Sequence, residues 1–369
     1  MNCSAFQFNF GGFRFSSALL ALVLSIGGVG CGDPGASPSS TGKNCRTVSQ
    51  VLGETTVCDR PKKVAVLDVH SLDLLLSLGE QPAGVVTPLP ISTNDTSRVQ
   101  RPDIAIPYLG DKVTTQPTYL GSLGRPPSLE VLSQSRPDLI VGESWQIQGG
   151  AGALMAKLAP TLPLAPRSER GNWRKNLRAL AQALGDEALA DRAIARYRRQ
   201  IDAARRDLKS VIKAHPRVLI LTGESMNKGV LFVLTGEGYI GEVLESIGFD
   251  VVEPPGPIRN FIPLSIEILP ELNQADLIFV LGYTSAAIQT IETEDLTNTK
   301  SLLETKDALV NQQVSRIRTD WQNNPIAQSL KASKSDRVYF HTFYEWNVLN
   351  GPLGAELILT QLRESLLDN

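Results

Sequence analysis

Several side chains able to do acid–base, ligand or stacking chemistry stand directly after short apolar runs. Asp68 and His70 follow Val64-Ala-Val-Leu67, Glu143, Ser144 and Trp145 follow Leu139-Ile-Val141, and His341, Phe343, Tyr344 and Trp346 follow Arg337-Val-Tyr-Phe340. Each run reads as a strand, so these groups sit at strand ends, where carboxylates and imidazoles can move protons or hold a metal. The partners such chemistry needs are missing from the pattern. The three histidines, His70, His215 and His341, form no local ligand pair, and His215 beside Pro216 reads as a helix end. Gly223-Glu-Ser225 lacks the last glycine of a Gly-x-Ser-x-Gly nucleophile elbow. No phosphate-loop lysine follows a glycine-rich turn, and no dinucleotide glycine fingerprint follows the first strand. We therefore expect no catalytic residue, no resident metal and no cofactor. The pattern favours recognition: aromatics are only 6% of the chain, yet His341-Thr-Phe-Tyr-Glu-Trp346 gathers three of them after one strand.

The elements that position these groups alternate. Val64–Leu67, Ala83–Val86 and Leu139–Val141 read as buried strands, while Ser71–Leu78 (stopped by Gly79), Ser128–Ser135 and Gly149–Leu158 read as helices. The pattern restarts with strands at Val218–Leu221, Val230–Leu234, Leu277–Leu281 and Arg337–Phe340, a helix at Gly238–Ile247 and a C-terminal helix at Pro352–Leu367. Between the two series lies a charged segment, Asp186–Ala214, whose Ile194, Tyr197, Ile201, Leu208 and Val211 recur at helical spacing. As one helix of roughly 29 residues it would span about 43 Å, longer than one small lobe. The expected fold is α/β: two lobes with mostly parallel central sheets, linked by a single long α-helix. Its parts are an N-terminal lobe at 45–185, a bridging helix at 186–214 and a C-terminal lobe at 215–369.

The chain has 369 residues, enough for two cores, and a formal net charge of -2, which gives no basic excess for nucleic-acid binding. Arg14, the apolar run Ser16–Ile26 and the small residues Gly27–Gly30 make a secretory signal over residues 1–30. Cys31 after Val29-Gly30 resembles a lipobox, with Gly28 departing from the usual leucine; the alternative is a plain signal cleaved nearby. Residues 31–44, rich in Gly, Pro and Ser, suit a flexible tether. Of the four cysteines, Cys3 lies in the signal and Cys31 at the lipidation position. Cys45 and Cys58 remain, and an oxidising compartment would join them across a hairpin turning at Gly53-Glu54.

Four sequence blocks, in order around the long helix, resemble the substrate-binding proteins of the iron-siderophore, haem and cobalamin ABC importers. They are Val64-Ala-Val-Leu-Asp68, Leu76-Ser-Leu-Gly79 with Pro82-Ala-Gly-Val85, Ser128-Leu-Glu-Val-Leu132 with Arg136-Pro-Asp-Leu-Ile-Val141, and Ser265-Ile-Glu-Ile-Leu269 with Ala275-Asp-Leu-Ile-Phe279. The resemblance implies a monomeric receptor in the periplasm or on the outer face of the cytoplasmic membrane, held there by an N-terminal lipid. It would take a ferric siderophore between its lobes and deliver it to a permease dimer with a cytoplasmic ATPase. One glutamate per lobe would pair with permease arginines, here Glu130 in Ser-Leu-Glu and Glu267 in Ser-Ile-Glu. Haem, cobalamin or a free metal ion on the same scaffold is the nearest alternative, and a sensor or structural lipoprotein is the alternative of another class.

Ligands of open α/β sheets sit beyond the carboxyl ends of the strands, so two facing lobes make one cleft. The first lobe would offer Asp68, His70, Thr87, Arg125, Ser144 and Trp145, and the second Ser225, Lys228, Tyr239, Tyr283, Phe343, Tyr344 and Trp346. Arginine suits the chelate oxygens and flat rings its apolar parts. The ligand-binding set expected here is Trp145, Trp346, Tyr344, Tyr239, Arg125 and Tyr283, with Arg259, Arg316 and Arg318 as further cations. Phe343 or Trp346 could instead pack the second core. Trp173 reads as packing, and Trp321 as lining or covering the cleft.

Overall fold

The computed structural model describes residues 44–88, 98–224, 226, 229–283, 303–304 and 311–367. Strands β1 (Cys45–Gln50) and β2 (Gly53–Cys58) form an antiparallel hairpin with Cys45 opposite Cys58, and a disulfide joins the pair. Gly53, at φ +125°, allows the tight return. Val48 and Val57 face inward, and Arg46 donates to the carbonyl of Ala183 at 2.6 Å, so the hairpin is fastened to the helix Asn172–Leu184.

The first lobe is built on β3 (Val64–Val66), β4 (Gly84–Thr87), β5 (Thr118–Ser122), β6 (Leu139–Glu143) and β7 (Thr161–Leu164). They lie in the order β5-β4-β3-β6-β7, all parallel. Continuous apolar runs such as Val-Ala-Val belong in such a sheet, because helices bury both faces. The helix Val69–Ser77 starts where Asp68 accepts from Ser71 N at 2.7 Å and stops at Gly79, φ +83°.

The second lobe holds β8 (Arg217–Gly223), β9 (Val230–Leu234), β10 (Asp250–Val251), β11 (Phe261–Ser265), β12 (Leu277–Gly282) and β13 (Val338–Thr342). The order is β11-β9-β8-β12-β13, with β10 beside the start of β8. This sheet is mixed: β12 is parallel to β8 and β13, but β9 is antiparallel to β8 and β11.

The long helix is shorter than the spacing predicts. Gly185, at φ +76°, closes Asn172–Leu184, and the bridging helix starts only at Ala188. It ends at Asp207; Leu208 (φ -89°, ψ 3°) is a turn, and Lys209–Ala214 continues as a short helix. The twenty residues of Ala188–Asp207 span about 30 Å. Ala190, Ala193, Ile194, Tyr197, Ile201 and Ala204 make its buried face. That face packs on Asn172–Leu184 and Tyr239–Ile247, and the helix also meets Pro352–Leu367. One continuous core therefore runs from Val66 and Val141 of the first lobe, through Trp173 and Tyr197, to Ile220, Phe279 and Trp346 of the second. The outer faces of the two sheets have separate cores, around Leu67 and Ile140 and around Leu221, Val280 and Trp321.

Candidate functional site

The carboxyl ends of β3 and β6 bring Asp68 and Glu143 together in the first lobe. Asp68 Oδ2 accepts from Glu143 N at 3.1 Å and from Ser71 Oγ at 3.0 Å. Burial, and then the Glu143 charge, push Asp68 above its ordinary range. Burial acts the same way on Glu143 and is the largest single influence, but the Arg167 charge, His70 and the hydrogen bonds from Trp145 and Arg167 N together outweigh it and hold Glu143 below the usual carboxylate range. Glu143 also accepts from Arg167 N at 2.7 Å and from Trp145 Nε1 at 2.8 Å, besides its ion pair with Arg167 Nη1. One buried carboxylate thus orients both an arginine and a tryptophan. Trp145 is 51% exposed, and Arg167 Nε is buried without a hydrogen-bond partner among the described residues.

Both residues line a cavity of about 270 Å³ between the lobes, with Pro88, Leu123 and Gly124 on the first-lobe side and Tyr283, Gln313, Phe343, Tyr344 and Val348 on the other. Two further cavities adjoin it. One, of about 390 Å³, shares Trp145 and Gly124 and includes Arg125, Leu129 and Met155. The other, of about 670 Å³, shares Tyr283 and Phe343 and includes Thr222, Gly223, Val230, Phe232 and Phe261. Together they make one groove along the strand carboxyl ends, with its arginines on one wall and an aromatic surface on the other.

Of the residues expected at the cleft, Trp145, Arg125, Tyr283 and Tyr344 line this groove. Trp346 and Tyr239 do not. Trp346 is fully buried, stacks on His341 at 4.6 Å between ring centroids and donates to Gln361 Oε1 at 2.6 Å. Tyr239 is buried under the second sheet and donates to Gly351 O at 2.6 Å. The reason is local: β13 runs on to Thr342, so His341 lies in the strand, and Thr342 caps a short helix, Phe343–Asn347, that turns Trp346 inward. His341 is half-buried beside Phe279, and desolvation lowers its pKa to about 4. Trp321 is a core residue like Trp346, donating to Ser333 Oγ at 3.1 Å, and Trp173 packs at a tilt against Tyr197. Thr87 and His70 are buried, and Ser144 starts the short helix that carries Trp145. Arg259, Arg316 and Arg318 are exposed. Cys31, Ser225 and Lys228 lie outside the described residues.

Arg167, Val230, Phe232 and Phe261 are groove residues that sequence patterning missed. Arg167 follows β7, whose Pro163 argues against a strand; β7 is an edge strand, where proline is tolerated. A strand assignment there would have put Arg167 beyond a carboxyl end.

The groove lies between lobes tied by buried polar bonds. His70 Nδ1 donates to Leu349 O at 3.0 Å while Nε2 accepts from Asn176 Nδ2 at 3.1 Å, so the ring is a neutral tautomer with both nitrogens used. Burial lowers its pKa to about 4. Asp73 caps the C-terminal helix from the other lobe, accepting from Leu353 N at 3.1 Å and Gly354 N at 2.7 Å. Burial raises its pKa to about 7. Across the junction Arg174 pairs with buried Glu242, which also accepts from Gly171 N at 2.7 Å.

Glu130 and Glu267 are both exposed, each in the first turn of a helical segment that a serine precedes, Ser128 and Ser265. Among the described residues no helix is long and apolar enough to cross a membrane, and no three His, Cys, Asp or Glu gather as a metal site.

A family model described as periplasmic binding protein matches residues 64–344. The Fe(3+)-citrate-binding protein YfmC of Bacillus subtilis is 24% identical over 344 residues, covering 92% of each chain. A putative ABC transporter substrate-binding lipoprotein of the same organism, YhfQ, is 23% identical over 94% of this chain and 96% of its own. Among solved structures, Staphylococcus aureus SirA complexed with staphyloferrin B superposes with a TM-score of 0.63 at 21% identity, over 87% of this chain and 98% of that one.

Proposed function

The chain belongs to the periplasmic binding protein family, and we propose that it captures a ferric siderophore between its lobes and delivers it to an ABC importer. The observation that carries this function is the groove itself. Trp145 and Arg167, both oriented by Glu143, face Tyr283 and Phe343 across an interlobe cavity. An Fe(III) chelate presents oxygens to an arginine fork and flat or apolar surfaces to aromatic rings. Near full-length similarity to a protein named for binding Fe(3+)-citrate supports the same ligand class. The ligand passes through unchanged, without a resident cofactor.

Delivery uses Glu130 and Glu267 as the two charged contacts with a permease dimer, steering the docked orientation more than adding affinity. Cys31 carries the lipid that holds the monomer at the outer face of the cytoplasmic membrane or in the periplasm, with residues 31–44 as tether.

The test is a tryptophan-fluorescence titration of the mature chain with ferric hydroxamate, citrate-hydroxamate and catecholate siderophores, and with haem, cobalamin and Zn²⁺ as controls. Trp145 is the exposed tryptophan, and Trp173, Trp321 and Trp346 are buried, so quenching reports the groove. Saturable submicromolar quenching by one ferric siderophore, absent with its iron-free form and largely lost in Trp145→Phe, is the expected result. Saturation only by haem, cobalamin or Zn²⁺ moves the ligand, and no response to any of them overturns the assignment.

A further inference from the structure

We propose that the second-lobe end of the groove is a shelf for a hydrocarbon arm, so that the chain selects an amphiphilic ferric chelate over a compact polar one. This deepens the ferric-chelate function proposed above and rests on it.

The shelf follows from strand register. Directly opposite residues of an antiparallel pair share a face, so Val230, Phe232 and Leu234 of β9 stand beside Ser265, Pro263 and Phe261 of β11. Leu234 and its β8 partner Ile220 are sealed into the core with Ile240, Val243 and Leu244 of the helix Tyr239–Ile247. Beyond Leu234 the same face is less covered among the described residues, with Val230 46% and Phe232 41% exposed. With Phe261, Tyr283 and Phe343 they line one cavity, so they form a contiguous apolar surface and not scattered side chains.

Its position identifies the occupant. The shelf reaches the carboxyl ends of β8 and β12, at Gly223 and Tyr283, where ligands of α/β sheets bind. Phe343 joins it to the interlobe cavity, packing on Phe261 at 6.2 Å and edge-on against Tyr283 at 5.5 Å between ring centroids. Tyr283 and Phe343 line both spaces. Arg125 and Arg167 lie on the opposite wall, whereas the shelf's own charged residue is the acidic Glu224. The iron centre therefore faces the first lobe, and the apolar part of the same molecule lies along β9.

The experiment titrates the mature chain with ferric hydroxamates that share one head and differ by stepwise lengthening of an acyl arm. Affinity should rise about fourfold for each methylene the shelf buries. Val230→Ser and Phe232→Ser should flatten that series, so that affinity no longer rises with arm length. If armed and armless heads bind wild type equally, the shelf assignment fails and the receptor function stands. If no head binds, both fall. Two further results also overturn the shelf: a large fall in Tm for ligand-free Phe232→Ser, which would mean the chain's own residues cover it, or a dimer that this variant dissolves, which would assign it to a second copy.

Discussion

Replacing His70 with Asn should change the slope of stability against pH more than stability itself. His70 is fully buried, with Nδ1 bonded to Leu349 O and Nε2 to Asn176. Its folded pKa is held by burial at about 4, against 6.5 when exposed. The unfolded chain therefore takes up a proton as pH falls through 6.5, whereas the folded chain refuses it until about 4. Stability is fully present above 6.5 and is lost as pH falls, by about 1.4 kcal/mol per unit. That amounts to about 2 kcal/mol at pH 5 and about 3 kcal/mol once the folded ring protonates. An Asn amide can still donate to Leu349 O but is too short for Asn176, so the variant should be roughly 1–2 kcal/mol less stable at pH 7. Asn does not titrate, so the two stabilities should converge near pH 5. Asp73 and His341 titrate in both proteins and drop out of the difference. Asp73 acts with the opposite sign: its raised pKa removes stability as pH climbs from its unfolded value of 3.8 to about 7. Urea unfolding followed by circular dichroism, stepped from pH 7 to 4.5, measures the difference. A gap that stays constant with pH would refute the reasoning.

Other outcomes follow from single contacts. Gly351→Ala would set a Cβ 2.4 Å from Asp73 Oδ1, where the buried carboxylate has no room to move, so urea unfolding should show a loss of about 1–3 kcal/mol. Glu130→Arg with Glu267→Arg should abolish uptake of the iron chelate in cells while leaving the fluorescence-measured affinity unchanged; a parallel fall in affinity would remove the docking role. Cys45→Ser with Cys58→Ser opens a loop of 13 residues' separation, which chain entropy values at about 3 kcal/mol, so the melting temperature should drop without loss of ligand binding.

The fold was largely legible because buried parallel strands are written as continuous apolar runs. Val64–Val66, Leu139–Glu143 and Leu277–Gly282 each begin where the apolar run begins. Strands escaped where the signal is diluted: β5 carries Gly121 and half-buried positions, and β7 carries Pro163. The site was legible only in part, because a strand end places a residue but does not aim it. Trp145 and Trp346 have similar sequence contexts after a strand. Glu143 pulls one outward through its indole N–H, whereas Gln361, from the C-terminal helix, captures the other inside. That choice depends on a partner fifteen residues away, which no local pattern contains.

How the groove reads its ligand follows from the way the lobes are joined. The shared core around Trp173 and Tyr197 has no seam at the lobe boundary. Opening the lobes at the C-terminal helix would break His70–Leu349, both Asp73 bonds and Tyr108–Leu353, the last at 3.0 Å. On the other flank it would break Glu242 from Gly171 and Arg174, and Tyr239 N from Ser168 O at 3.0 Å. Each of these is worth about 1 kcal/mol net and more when a buried partner is orphaned. Their sum is comparable to the roughly 8 kcal/mol that a micromolar ligand gains on binding. A wide hinge would therefore consume most of a micromolar ligand's binding energy, which favours selection by a groove formed before the ligand arrives. In such a groove the buried Glu143, by fixing the Arg167 fork and the Trp145 ring before contact, lowers the entropy lost when a chelate is gripped. Glu143→Gln should then weaken binding through a faster off-rate even though Glu143 itself is only 1% exposed.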